Sequence, residues 1–284
     1  MSGYKCHFCA ECDGHGCLGE LPGMGGVFES ANFIANCAAW KKYYADVPYE
    51  YELPPIRLAP ITGGVENVGY HDEAVFYFDL IESCTKAGFL LSIGDGYPDA
   101  KIQGGLAALQ RYRKTGAVFI KPYPNPRIFE RIDWVRDSAD LIGVDIDSYN
   151  IVTMRNLVQL EQKDAHSLKE IRRYAKKPFA IKGIFLPENV EMVKELRPDI
   201  AVISNHGGRI ETRHGSTLRK FAGEVWVDGG LRSRADIAAA KRLGATQVMI
   251  GRPCITALLS NGAEGVRDLY RRLTAGDVEK ATNF

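Results

Sequence analysis

The stretch IAVISNHGGRIE, residues 200–211, closes an apolar run with Asn205, His206, two glycines and Arg209. A neutral imidazole can take up a proton near cellular pH. Adjacent glycines let the chain turn sharply beside it, and a guanidinium fork matches a carboxylate. Base, hinge and permanent cation thus stand together at one strand end. A second group follows in VDGGLRSRADI and IGRP, which supply Asp228, Gly229, Gly230, Arg232, Gly251 and Arg252. Paired glycines bring backbone N–H groups close to an anion, and the start of a helix adds partial positive charge. The two arginines add charge-assisted hydrogen bonds. The combination predicts a phosphorylated ligand, with Asp228 accepting from one of its hydroxyls.

A third group is N-terminal. CHFCAECDGHGC sets Cys6, Cys9, Cys12 and Cys17 in the spacing C-x2-C-x2-C-x4-C. Four thiolates so close together suit Zn²⁺ or an iron–sulfur cluster, the latter an electron outlet. Free thiols in a cap over the rest of the protein are the plain alternative. Cys37, Cys84 and Cys254 stand in apolar surroundings and read as small core residues.

These groups need a scaffold. Eight short apolar runs recur after residue 55: IRLAP, FLLSI, AVFIKPY, LIGVDID, FAIKGI, IAVISNH, VWVDGG and QVMIGRP. Most are continuous rather than alternating, as expected of parallel strands covered on both faces. Helical segments separate them. DEAVFYFDLIESCTKAG starts at an Asp able to cap, stops at Gly, and sets Val75, Phe78, Leu80 and Ile81 towards one side. RADIAAAKRLGA repeats the pattern with Ile237, Ala240 and Leu243. Eight such units predict a single (β/α)8 TIM barrel over residues 51–284, after a cysteine-rich cap at 1–50. CAAWKKYYADVPYEYE reads as a short helix leading to the first strand.

Barrel chemistry sits at the C-terminal ends of the strands. Those ends give Ala59 and Thr62, then Ser92, Gly94 and Asp95, Lys121 and Tyr123, Asp145 and Asp147, and Lys182, ahead of the groups already described. The chain of 284 residues is 45% hydrophobic and 25% charged, an ordinary globular profile. A formal charge of +1 gives no reason to expect a nucleic-acid or membrane partner. No apolar run reaches the roughly 18 residues of a membrane helix, and MSGYKCHFC lacks the apolar core of a signal peptide. A cytoplasmic protein is expected.

IKGI, SNHGGR, DGGLRSRADI, LGATQVMIGRP and GAEGV, in that order, resemble the FMN-dependent α-hydroxy-acid oxidases and dehydrogenases, such as glycolate and lactate oxidase. The likeness is dense over residues 178–272 and thinner over 56–150. It implies FMN held by the strand-end residues, namely Ala59, Thr62, Ser92, Lys121, Lys182, Asp228, Gly229, Gly230, Arg232, Gly251 and Arg252. It implies His206 as the base, Arg209 as the carboxylate clamp and Lys182 against the flavin pyrimidine. Tyr123 matches a catalytic-site Tyr, and Lys121 stands where the family has Gln. Asp145 would orient His206, with Asp147 as its rival on the same strand face. The implied reaction is oxidation of a lactate- or glycolate-like 2-hydroxy acid to the 2-oxo acid, with an unspecified electron acceptor. A homo-oligomer is consistent with the family, although no surface pattern specifies one.

The chain also departs from the pattern. The second substrate Arg has no clean match, Val152 standing near its place with Arg155 further on. Only 36 residues separate Asp145 from Lys182, too few for the family's long loop over the site. The alternatives are a non-redox flavin isomerase resembling type 2 isopentenyl diphosphate isomerase, or a flavin-binding electron carrier. An IMP-dehydrogenase-like reading would need a cysteine at the sixth strand end, and none stands there.

Overall fold

All eight apolar runs form strands, and all of them lie parallel in one sheet. The computed structural model describes residues 31–45, 48, 51–64, 70–151, 154, 157–208, 210 and 224–275. The strands are β1 (Ile56–Leu58), β2 (Ser92–Gly94), β3 (Gly116–Ile120), β4 (Ala139–Asp145), β5 (Phe179–Ile184), β6 (Ile200–Ile203), β7 (Val225–Val227) and β8 (Gln247–Ile250). Their order is β1-β8-β7-β6-β5-β4-β3-β2. A parallel bridge between Arg57 and Leu90 closes the last seam, with Leu58 N–H donating to Leu90 O at 2.8 Å. The result is a (β/α)8 barrel.

The described helices are α1 (Ala31–Ala39), α2 (Glu73–Ala87), α3 (Ala100–Arg111), α4 (Asn125–Val135), α5 (Ala165–Ala175), α6 (Pro187–Leu196), α7 (Arg234–Arg242) and α8 (Arg252–Ala275). Asp72 caps α2 by accepting from Val75 N–H, and Gly88 ends it at φ 106°. The buried face of α2 differs from the expected one. Leu80 and Ile81 are buried, but so are Phe76, Tyr77 and Cys84, while Val75 is 37% exposed. Packing of α2 against both α8 and α3 selects this face. Ser233 and Asp236 form a capping box at α7, fixing the loop after β7.

Two apolar layers hold the barrel. Phe119, Leu141, Val202, Trp226 and Met249 pack together as one cluster, while a larger one lies between sheet and helices. Arg57 lies over Trp226 at 4.8 Å and donates to Gln247 Oε1 at 2.6 Å, so its charge is bonded where it is buried. The helix before β1 starts earlier than CAAW and passes at Trp40–Tyr43 into a 3₁₀ turn. It lies across the C-terminal side of the barrel: Trp40 Nε1–H donates to Gly229 O at 2.8 Å, and Tyr44 OH to Asp236 Oδ1 at 2.6 Å. Among the described residues no helix is long and apolar enough to cross a membrane.

Candidate active site

The strand ends converge on one cleft, with about 1130 Å³ of empty space counting its open mouth. Its floor is ionic. Asp145, the last residue of β4, is gripped by two ammoniums: Lys121 Nζ at 2.9 Å from Oδ2 and Lys182 Nζ at 3.1 Å from Oδ1. Lys182 Nζ also lies 3.5 Å from Asp228 Oδ2 and donates to Ser204 Oγ at 3.3 Å. Burial pushes the Asp145 carboxyl up, but the two lysines outweigh it and hold the group far below the usual range. Burial lowers Lys182, and Asp145 with Asp228 more than restores it, so it stays charged.

His206 sits above this floor on a turn of three left-handed residues: His206 at φ 58°, Gly207 at 63° and Gly208 at 90°. A non-glycine residue there is strained and must be held. Ser204 Oγ accepts from His206 N–H at 3.0 Å, and Asn205 Oδ1 accepts from Gly208 N–H at 3.1 Å. Asn205 is itself fixed by Asn36 of α1, the two side-chain amides exchanging hydrogen bonds at 2.8 and 3.3 Å. Arg252, at the start of α8, donates to Gly207 O.

The imidazole has distinct partners on its two nitrogens. Nδ1 lies 3.3 Å from Asp147 Oδ1, and Nε2 lies 3.4 Å from Lys121 Nζ. Burial lowers the proton affinity of His206, Lys121 and Lys182 lower it further, and Asp147 opposes them incompletely. His206 is therefore neutral at pH 7, the form a general base requires. Of the two candidate aspartates, Asp147 rather than Asp145 contacts the imidazole. β4 ends at Asp145 and a 3₁₀ turn (Ile146–Asn150) begins, so strand alternation no longer governs Asp147. Gly183 makes room, since a Cβ there would lie 2.6 Å from Asp147 Cγ.

The same cleft carries a glycine turn with the geometry to cradle an anion. Gly229 and Gly230 turn at φ 100° and 77°, with Arg232, Gly251 and Arg252 around them. Asp236 Oδ2 accepts from Arg232 N–H at 2.8 Å and fixes the loop. Gly230 is pressed against α1: a Cβ would come 2.6 Å from Cys37 N, inside the backbone.

Ala59, Thr62, Lys121, Asp145, Lys182, His206 and Asp228 all line this cleft with the cradle residues. Two expected residues do not. Ser92 is buried in β2, and Gly94 and Asp95 face the cleft in its place. Tyr123 turns back after Lys121, with its N–H bonded to Lys121 O at 2.8 Å. Its ring lies under the Arg131 guanidinium at 5.4 Å, and burial beside Asp95 pushes its hydroxyl up to about 12. Arg209, Val152, Arg155 and the cluster Cys6, Cys9, Cys12 and Cys17 lie outside the described residues. Sequence reasoning missed Asn36 and Ser204, which hold the His206 turn, and Ile151 and Met154, which add apolar surface to the cleft. The polar types at 36 and 204 were a signal only in retrospect; the apolar pair gave none.

Comparison with known proteins bears on the fold and the family. A 4-hydroxymandelate oxidase of Amycolatopsis orientalis is 37% identical over 117 residues, which is 38% of this chain and 32% of that protein. An FMN-dependent α-hydroxy acid dehydrogenase of Schizosaccharomyces pombe is 35% identical over 125 residues, 41% of this chain and 30% of that protein. The chain thus spans about a third of the length of these relatives. A solved structure of a mandelate oxidase variant carrying an FMN adduct superposes with TM-score 0.66 at 20% identity, covering 90% of this chain and 89% of that one. This likeness shows a shared fold. The family model described as FMN-dependent dehydrogenase matches residues 126–280, more than half of the chain. The chain belongs to the FMN-dependent dehydrogenase family.

Proposed function

We propose that this chain binds FMN in the cleft and oxidises a 2-hydroxy acid to the 2-oxo acid, with His206 as the base. One observation carries the reading. A neutral imidazole, backed by Asp147 on Nδ1, lines one cleft together with glycine turns and two arginines suited to an anion. The residues present fit FMN. Arg232, Arg252 and the backbone around Gly229, Gly230 and Gly251 would hold its phosphate. Lys182 supplies a buried fixed cation for the ring end, beside the Ala59–Thr62 segment. When bound, FMN supplies a two-electron acceptor.

The protein's own part is proton transfer and electrostatics. The substrate hydroxyl gives its proton to His206 Nε2, and Asp147 stabilises the imidazolium formed. Lys182 offers preorganised positive charge where a reduced ring gathers electrons. Arg209 is proposed as the carboxylate clamp on its place in SNHGGR alone. Ile151 and Met154 suit an uncharged substrate side chain. The relative named for 4-hydroxymandelate is consistent with an aromatic acid of this type.

The test is an anaerobic absorption spectrum of the FMN-loaded protein before and after glycolate, L-lactate and mandelate. Bleaching by one of them supports the reading, and recolouring in air marks an oxidase. Bound flavin that none of them bleaches favours the isomerase or carrier. Failure to bind FMN sinks the reading.

A further inference from the structure

We propose that Lys121 holds the reacting end of the substrate: its ammonium contacts the hydroxyl oxygen and adjoining carboxylate while His206 Nε2 takes the hydroxyl proton. The proposal rests on the function proposed above and adds a substrate-binding residue to it.

Three observations converge on this side chain. The first is position. Lys121 Nζ lies 3.4 Å from His206 Nε2, and both residues line the cleft. An oxygen at hydrogen-bond distance, about 2.8 Å, from one of these nitrogens can sit at that distance from the other. Any hydroxyl placed for deprotonation by Nε2 therefore lands beside the ammonium. The second is donor capacity. An ammonium has three N–H groups, and among the described residues the side-chain partners of Lys121 are Asp145 and His206. The bond to Nε2 is the one a substrate must replace, because that lone pair is the base. Replacing it leaves two donors for the substrate.

The third is charge. Asp145 is shared between Lys121 and Lys182, and Asp147 is committed to His206. Lys182 has Asp228 as a further ion-pair partner, whereas Lys121 pairs among the described residues with Asp145 alone, buried Asp95 acting on it only from beside its backbone N–H. Its remaining positive field falls on the cleft, where an anion satisfies it.

The step balances as follows. The substrate O–H bond breaks, an N–H bond forms at Nε2, and Lys121 keeps its proton. The negative charge left on oxygen lies against the ammonium, and the two electrons leave with the α-hydrogen, for which FMN would be the acceptor. Lys121 also keeps the base unloaded. Among the described residues the charged groups around His206 are Lys121 after β3, Asp145 and Asp147 at and after the end of β4, Lys182 on β5, Asp228 after β7 and Arg252 on α8. Burial and the two lysines depress its proton affinity against Asp147.

The experiment compares FMN-loaded wild type, Lys121→Gln and Lys121→Arg. Oxalate binding is measured by calorimetry, FMN affinity by fluorescence, and the imidazole titration of His206 by NMR. In Lys121→Gln, oxalate should bind at least about tenfold more weakly, the weight of one charge-assisted hydrogen bond. Lys121→Arg should stay within about threefold of wild type, since the charge is kept. His206 should titrate at higher pH in Lys121→Gln, and FMN affinity should hold. Oxalate binding unchanged in Lys121→Gln, or lost only in step with FMN, would overturn the proposal and leave Lys121 as a brace for Asp145. Wild type that binds FMN but neither oxalate nor any hydroxy acid would instead remove the functional reading, and this proposal with it.

Discussion

Asp147→Asn should slow the reaction and move its acid limb to lower pH, opposite to the shift expected for Lys121→Gln. Asp147 Oδ1 lies 3.3 Å from His206 Nδ1, and its side chain is fully buried. Two unit charges at that distance attract by about 5 kcal/mol at an effective dielectric constant of about 20. Asn leaves an acceptor in place, so part of this remains. Hydrogen bonds to charged groups carry about 1.5–3 kcal/mol net, and about 2 kcal/mol corresponds to about 30-fold in rate. The loss falls on the state in which the imidazolium has formed, so kcat and kcat/KM should drop together. Asp147 raises the proton affinity of His206 against burial and two lysines. Without it that affinity falls further, and the base stays neutral to lower pH. The assay is the pH profile of kcat/KM for whichever 2-hydroxy acid bleaches the flavin. Asp145→Asn is the control. It leaves the buried Lys121 and Lys182 ammoniums without their shared carboxylate, and should cost about 3–5 kcal/mol of stability. A wild-type rate and unmoved limb in Asp147→Asn, with Asp145→Asn folded and its limb displaced, would refute the assignment.

Arg252→Ala should weaken FMN by about 10–100-fold, the range of one charged hydrogen bond, while riboflavin, lacking the phosphate, should bind alike in both proteins; fluorescence titration reads both. Gly230→Ala places a Cβ 2.6 Å from Cys37 N at φ 77°, so α1 must move; a loss of about 2 kcal/mol, or roughly 4–8 °C in Tm, is expected by calorimetry. Asn36→Ala removes one of the paired amides and leaves buried Asn205 without it. About 1–3 kcal/mol should be lost, and kcat should fall more than FMN affinity, because Asn205 holds the His206 turn.

The barrel was legible because parallel strands buried on both faces read as unbroken apolar runs, and eight of them recur with helical spacers. Their ends located the cleft for the same reason: Lys121, Lys182, Asp228 and His206 each follow an apolar run, and each lines it. What failed was phase. In α2 the aromatic residues occupy adjacent positions, so periodicity alone did not choose between Val75 and Phe76; contact with α3 and α8 did. Tyr123 and Lys121 are two apart and would share a strand face, but β3 has ended at Ile120. A tight turn sends one into the cleft and the other under Arg131.

The partner of His206 shows why a site is harder to read than its scaffold. Asp145 and Asp147 are equally placed in GVDID, and alternation gives both the same direction. The choice is made by features remote in sequence. Two lysines from β3 and β5 claim Asp145, and a glycine at 183 opens the space that Asp147 fills. His206 meets Asp147 only because its own turn is left-handed, and that turn is held by an asparagine 169 positions away on α1. Local pattern thus names the residues able to do the chemistry. Which of them touch is decided by how many others compete for the same charge.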